Sequence, residues 1–249
     1  MTAQREQFRS GQRERERIAD LLALIPASGD RALDAGAWDG HLAILLAARY
    51  QEVVALDLNP PDIHHPRIQP VQGDVTALPY PGDSFDLVLC TEVLEHVPPD
   101  RLPPAAAELT RVARRDVVIG VPYRQDLRLG RTTCAACGRR NPPWGHVNSF
   151  TTERVRDLFP NLRMTGSSLV GRQDNRTNAL AASVTDLAGN PYGAYGHEQV
   201  CLSCGADLVR PEIGPSRLVL ATLGLALRKP SVWLYGQQPG WLHVRFVKE

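Results

Sequence analysis

Lysine is nearly missing from this 249-residue chain: of 28 basic residues only Lys229 and Lys248 are lysine, the others arginine. Against 27 acidic residues that leaves a net charge of +1, which excludes a uniformly basic nucleic-acid glove and leaves room only for a local patch. Long apolar runs are missing too. The longest, Leu218–Leu227 in SRLVLATLGLALRKP, is too short to span a bilayer, so no transmembrane segment is expected. The opening MTAQREQFRSGQRERER carries charge where a secretory leader needs an apolar core, and a cytoplasmic location is the expectation. Aromatics make up 6% and form no basic stripe on which bases would stack. The five cysteines do not look like a disulfide framework. Four of them form two Cys-x-x-Cys pairs in a chain without a leader, a pattern for metal binding in a reducing compartment.

What is present alternates. GQRERERIADLLALI starts charged and ends with Ile18, Leu21, Leu22 and Ile25 on one helical face. Its arginines lie among glutamates, as on a solvated face. RALDAG reads as a buried strand ending at glycine, HLAILLAARY as a helix, EVVALDLN as a strand with an acidic end, and RIQPVQGDV as a weaker strand. A fourth strand runs through Cys90, which is read as a core residue. A helix over Arg101–Arg114, a fifth strand DVVIGVPY and a threonine-capped helix TTERVRDLF follow. Such alternation implies parallel βαβ units in a doubly wound α/β sheet. Beyond it, Leu162–Val170 reads as a strand, Gly171–Gly205 as a polar stretch rich in Gly and Asn, Pro215–Arg228 as a helix, and WLHVRFVKE as a closing strand with Leu242, Val244 and Phe246 inward and His243 outward. The apolar Leu218–Leu227 helix is read as core or lid packing, with a membrane or partner surface as the other reading.

LDAGAWDG, Leu33–Gly40, joins the first strand to the first helix of the sheet. Glycines there let the backbone approach a ligand, and the helix N-terminus offers unpaired N–H groups. Asp57 ends the second strand, where a carboxylate can take two ribose hydroxyls. With GDV at Gly73–Val75 the pattern becomes specific. The order LDAGAWDG, VVALDLN, QGDVTALPYPGDSFDLVLCTEVLEHV, VVIGVP resembles that of the class I S-adenosylmethionine-dependent methyltransferases over roughly Gln12–Val170. A nicotinamide Rossmann enzyme would more often carry G-x-G-x-x-G, which is absent.

The resemblance implies that Asp34, Gly36 and Gly40 surround the methionine part of S-adenosylmethionine, Asp57 with Leu58 beside it holds the ribose, and Asp74 with Val75 meets the adenine edge. Thr91 and Glu92 would lie where the fourth strand opens onto the donor. One departure is Trp38, where the family's middle glycine usually stands; its indole would pack over the donor or restrict the pocket. The implied division is a helical cap over residues 1–29, a donor-binding core over 30–129, 147–171 and 240–249, and two insertions over 130–146 and 172–239.

Those insertions hold the cysteines. Cys134-Ala-Ala-Cys137-Gly138 and Cys201-Leu-Ser-Cys204-Gly205 share one shape, a knuckle whose amides point at sulfur, and together they supply four thiolates for a closed structural zinc site. Both insertions follow sheet strands, so one zinc would tie them into a small lid. His197 is the alternative ligand should one cysteine not serve; His64 and His65 read as surface residues.

A second constellation is TEVLEHV, with Glu92, Glu95 and His96 just past the fourth strand, and His146 in GHVNSFT. Some relatives, among them ubiquinone-pathway and plant small-RNA O-methyltransferases, are similar in holding a divalent ion this way. Two carboxylates and imidazole suit Mg²⁺ or Mn²⁺, which would lower the pKa of an acceptor hydroxyl. The alternatives are metal-free acid–base catalysis by His146, His96 or Glu92, or a structural role. The Asn/Asp-Pro-Pro-aromatic motif of amino-group methyltransferases is absent, so oxygen of a small molecule or glycan is the expected acceptor, and nucleic acid is not. An RNA methyltransferase gripping its substrate with the cysteine module, and a donor-binding protein without transfer activity, are the competing readings.

Overall fold

A computed structural model describes residues 11–174, 176–196 and 199–249. Among them the chain divides into two units. One comprises the chain through Tyr123 with Phe150–Gly171 and Trp241–Glu249; the other comprises Arg124–Ser149 and Arg172–Gly240. His197 lies outside the described residues.

The first unit is built on a seven-stranded sheet. Its elements are α1 (Gln12–Leu24), β1 (Gly29–Ala35), α2 (His41–Ala47), β2 (Tyr50–Asp57), β3 (Ile68–Gln72), β4 (Phe85–Thr91), α3 (Leu102–Val112), β5 (Ala113–Pro122), α4 (Thr152–Leu158), β8 (Arg163–Gln173) and β9 (Gln238–Val247). The strand order is β3-β2-β1-β4-β5-β9-β8. β1 pairs in parallel with both β2 and β4, β4 with β5 in parallel, and β9 with β5 antiparallel, Gly120 opposite His243. This is the doubly wound α/β sheet expected. Its order reverses between β1 and β4, so the two halves diverge there and leave a crevice beyond the strands' carboxyl ends.

Two apolar layers cover the sheet. On one face Ile18, Leu21 and Ile25 at α1 join Leu42, Ala43 and Leu46 of α2. On the other, Leu102, Ala105, Ala106 and Leu109 of α3 join Val155 of α4 and Phe159, which stacks on Phe246 with ring centroids 5.0 Å apart. β3 is an edge strand and tolerates Pro70, which has no N–H to donate. α4 starts at the threonine cap expected for it: Thr151 Oγ1 accepts from the Arg154 N–H at 3.2 Å.

Two expectations for this unit fail. His243 is fully buried, because β9 is an inner strand with cover on both faces. Its Nδ1 donates to Asp20 of α1 at 2.6 Å. The face of α1 read as solvated is not solvated at Glu14 and Arg17, which are buried and joined by two 2.8 Å hydrogen bonds one helical turn apart.

The second unit holds a two-stranded ladder, β6 (Thr132–Thr133) with β7 (Arg140–Asn141), and two helices, α5 (Ala179–Leu187) and α6 (Pro215–Tyr235). α5 falls in the stretch read only as polar and rich in Gly and Asn. Asn178 caps it by accepting from the Ala181 N–H at 2.8 Å, a cap followed by an alanine-rich run that a closer reading would catch. α6 runs seven residues beyond the expected Arg228, through Pro230. Gly224 and Ala221 pack it against α5, and Asn178 Nδ2 donates to Leu227 O and Ser231 Oγ at 2.8 and 2.9 Å. The core role read for its apolar residues is not seen: Leu218, Val219, Leu223 and Leu225 are exposed.

Candidate functional site

The crevice is built from strand ends. β1 stops at Gly36, whose φ of +88° suits glycine alone; a Cβ there would lie 2.0 Å from Val93 Cγ2. The N–H groups of Gly36 and Ala37 bond to Leu56 O at 2.7 and 3.0 Å, turning the chain across the end of β2. Trp38, at the family's usual glycine, keeps a left-handed φ of 45°. Its N–H donates to Asp57 Oδ2 at 2.9 Å, while Asn59 N–H donates to Oδ1 at 3.0 Å. So a non-glycine residue holds the glycine-type turn with help from the carboxylate at the neighbouring strand end, and its indole stays half exposed. Gly40, φ +73°, starts α2.

Two contiguous lobes open over this frame, of about 290 and about 390 Å³. Gly36, Asp57, Glu92, Val93 and His96 line both. Leu58, Gly73, Asp74, Val75, Thr76 and Arg101 add to the first lobe; Arg17, Ala37, Trp38, Leu42, Thr91 and Trp241 add to the second. Asp57 stands at the junction with two of its four lone-pair positions still open.

Asp74 accepts from Thr76 N–H at 2.9 Å and from Arg101 Nη2 at 3.1 Å, which holds its carboxyl below the usual range, the Thr76 amide contributing most. In the second lobe Glu92 sits at φ 57°, a conformation that costs a non-glycine residue about 1–3 kcal/mol. Its N–H is tied to Gly120 O at 2.9 Å and its Oε2 accepts from Trp241 Nε1 at 3.4 Å. Burial raises the Glu92 carboxyl, and the Arg17 guanidinium opposes that rise. Arg17 lies over the Trp241 ring, 5.8 Å from its centroid. His96 opens to solvent at the mouth of the cleft, but the walls behind the ring displace water and lower its pKa. It is therefore neutral at neutral pH.

Of the residues expected here, Gly36, Trp38, Asp57, Leu58, Asp74, Val75, Thr91, Glu92 and His96 line the cleft. Asp34 is buried within β1 and Gly40 caps α2; neither is a lining residue. Glu95 is fully buried, neither carboxylate oxygen has a hydrogen-bond partner among the described residues, and burial beside Glu92 raises its pKa well above normal. His146 belongs to the second unit, where Nδ1 donates to Gln125 Oε1 at 2.6 Å and Trp144 packs beside the ring. Sequence reading missed Arg17, Arg101 and Trp241. For Arg17 the one local signal is its three-residue spacing from Glu14.

In the second unit the four paired cysteines converge. Their Sγ atoms all lie within 4.8 Å of one another, with Cys134–Cys204 at 3.7 Å and Cys137–Cys201 at 3.6 Å. Four thiolates about 2.3 Å from a tetrahedral zinc stand about 3.8 Å apart, so the cage has zinc's dimensions. The two knuckles repeat each other: Gly138 N–H bonds Cys134 O at 2.9 Å, Gly205 N–H bonds Cys201 O at 2.9 Å, and both glycines are left-handed, at φ +70° and +73°. Ser203 N–H points at Cys201 Sγ from 3.4 Å and is the chief cause that draws this thiol down to about 6. Cys90 lies apart, buried in β4.

A doubly wound sheet with a cleft at its switch point, a glycine turn and an acidic second-strand end defines a nucleotide-binding α/β unit. Residues 33–120 match the family described as Methyltransferase domain, and the chain carries a class I S-adenosylmethionine-dependent methyltransferase domain. Malonyl-acyl-carrier-protein O-methyltransferase of Halorhodospira halophila is 38% identical over 109 residues, which cover 39% of this chain and 36% of that protein. Ubiquinone biosynthesis O-methyltransferase of Xylella fastidiosa is 34% identical over 113 residues, covering 40% and 45%. The aligned stretch is thus less than half of either relative. Among solved structures, the N-methyltransferase NodS of Bradyrhizobium japonicum has a TM-score of 0.55 at 15% identity, covering 96% of this chain and 98% of that one; at this identity the likeness is one of fold.

Proposed function

We propose that this chain is a cytoplasmic S-adenosylmethionine-dependent methyltransferase acting on a hydroxyl of a small molecule or sugar, with a structural zinc in its second unit. The observation that carries the reading is that His96 and Glu92 line both lobes of the cleft whose junction is Asp57. The adenine belongs in the lobe of Asp74, Val75 and Arg101, the ribose on Asp57, and the methionine end beside Trp38, Thr91, Arg17 and Trp241. Bound there, the donor supplies an electrophilic methyl on a sulfonium sulfur. Neutral His96 takes the acceptor's hydroxyl proton as the oxygen forms its bond to the methyl carbon; the carbon–sulfur bond breaks and its electron pair stays on sulfur. Alignment supplies much of the rate and the base most of the rest. The two relatives named O-methyltransferases support oxygen as the acceptor atom.

Zinc on Cys134, Cys137, Cys201 and Cys204 is supported by the sulfur spacing and the paired knuckles. A magnesium or manganese ion at Glu95 and His96, two of the four residues expected to hold it, is a second reading, favoured by their ligand atoms lying within 4.8 Å of each other and by Glu95's two buried, unpartnered oxygens; it would supply a Lewis acid for the hydroxyl.

Two substitutions test the assignment. Asp57→Ala should weaken S-adenosylmethionine binding, by calorimetry, by about 10–100-fold, the worth of hydrogen bonds to a charged group. His96→Gln should leave that affinity intact and lower turnover by about 10²–10⁴-fold. Unchanged donor affinity in the first sinks the ribose assignment. Unchanged turnover in the second removes the base, and loss of activity to a chelator that spares the cysteine site would then transfer its role to a metal.

A further inference from the structure

The outer helix of the second unit is built inside out. A helix lying on a protein core turns its large apolar side chains inward and its small or polar ones to water. α6 does the opposite. The residues it buries are Ala221, Gly224 and Ser231. Its large apolar residues point away: Val219, Leu223, Trp233 and Leu234 share the opposite face at 67%, 47%, 86% and 68% exposure. A 3.6-residue period brings those four, with Ala226, onto one continuous outward stripe. Within this helix the stripe runs from Val219 to Leu234, about 22 Å.

Its charges favour one occupant. α6 carries Arg217, Arg228 and Lys229 and not a single aspartate or glutamate. Lys229 stands exposed beside the apolar stripe. Against a second copy of itself such a helix sets like charges together; against an anionic bilayer surface Lys229, beside the stripe, is favourable and worth about a fivefold gain in affinity. Arg228 turns inward and donates to Arg176 O and Asp174 O at 2.9 and 2.6 Å. Trp233 and Tyr235 at its end are the residue types that settle at headgroup depth.

Depth is bounded as well. No helix among the described residues is long and apolar enough to cross a membrane. Pro230 has no N–H to give the carbonyl of Ala226, a group that the hydrocarbon core would strand but headgroup water would satisfy. A stripe of apolar bulk, a cationic margin and an aromatic end on a helix that cannot span describe an interfacial helix. We infer that α6 lies in the surface of an anionic membrane and docks the enzyme there.

Flotation of the full chain with lipid vesicles tests this. Wild type should rise with vesicles of phosphatidylcholine and phosphatidylglycerol, should do so less with phosphatidylcholine alone, and should be released by salt. Lys229→Gln should weaken the binding about fivefold, and Leu223→Glu with Trp233→Glu should abolish it. Both variants change only exposed side chains, so their circular dichroism and melting should match wild type. Absence of flotation, indifference to lipid charge, or flotation of the double variant equal to wild type overturns the inference. So does a dimer by light scattering that Leu223→Glu dissociates while vesicle binding is nil, which would assign the stripe to a second copy.

Discussion

At the scale of single residues, His243 shows what a strand pattern conceals. Alternation along WLHVRFV assigns it to the face opposite Leu242 and Val244, and that part is right. Whether the opposite face meets water depends on which helix covers it, and α1 is contributed from the other end of the chain. Buried there, His243 is held neutral: loss of solvent lowers its pKa most, the Asp20 carboxylate works against that, and Arg17 adds to it. A histidine whose folded pKa is depressed binds its proton more readily when unfolded. Its contribution to stability is therefore complete above the unfolded value near 6.5 and is lost as pH falls below it, by up to about 1.4 kcal/mol per pH unit. Thermal melts of wild type and His243→Asn between pH 7.5 and 5.5 should diverge on the acid side, wild type falling faster. Parallel curves would remove the histidine from the pH response. Asp57 and Gly36 were legible for the complementary reason: each carries its signal in its own turn. Arg17 and Trp241 reach the cleft from α1 and β9, 224 positions apart in sequence, and no local pattern marks that meeting.

At the scale of elements, the two cysteine knuckles allow a clean measurement. Gly138 and Gly205 sit at equivalent turns with left-handed φ, and a Cβ built on either meets nothing within 4 Å. Alanine at either position therefore costs the backbone strain alone, about 1–2 kcal/mol. Because a cage of this kind couples metal binding to folding, the strain should appear as zinc affinity. Gly138→Ala and Gly205→Ala should each weaken zinc by about tenfold, in competition with a chromophoric chelator, and the double variant by about a hundredfold. Unequal losses would mean the knuckles are not equivalent; no loss would mean that the thiols do not hold the metal. The knuckles were readable because spacing and glycine recur twice in sequence. α5 was hidden by its length of nine residues between polar, glycine-rich flanks, and the reach of α6 by Pro230, which ordinarily argues for an earlier end.

At the scale of the molecule, the two units rest on different sources of stability. In the first, two apolar layers enclose the sheet, and every described residue lining the cleft belongs to that unit. In the second, the buried cluster around the cage is small, Cys134, Cys201 and Leu208 with Tyr195 and Ala206 against them, and its long helix turns its apolar side chains outward. Little apolar surface is enclosed around the cage, and the proposed zinc would add to what holds this unit folded. Ligand linkage then predicts two separable responses. A chelator should melt the second unit early, seen as a partial loss of helix signal from α5 and α6, while S-adenosylhomocysteine still binds the chelated protein. Added at a hundred times its dissociation constant, that ligand should stabilise the remaining transition by about 2.7 kcal/mol and leave the early one unmoved. If instead one cooperative transition shifts with both chelator and nucleotide, the two units fold as one and the cysteine cage supports the donor cleft as well as its own surroundings. Calorimetric scans with each ligand alone and with both decide between these outcomes, because only independent units give shifts confined to separate peaks.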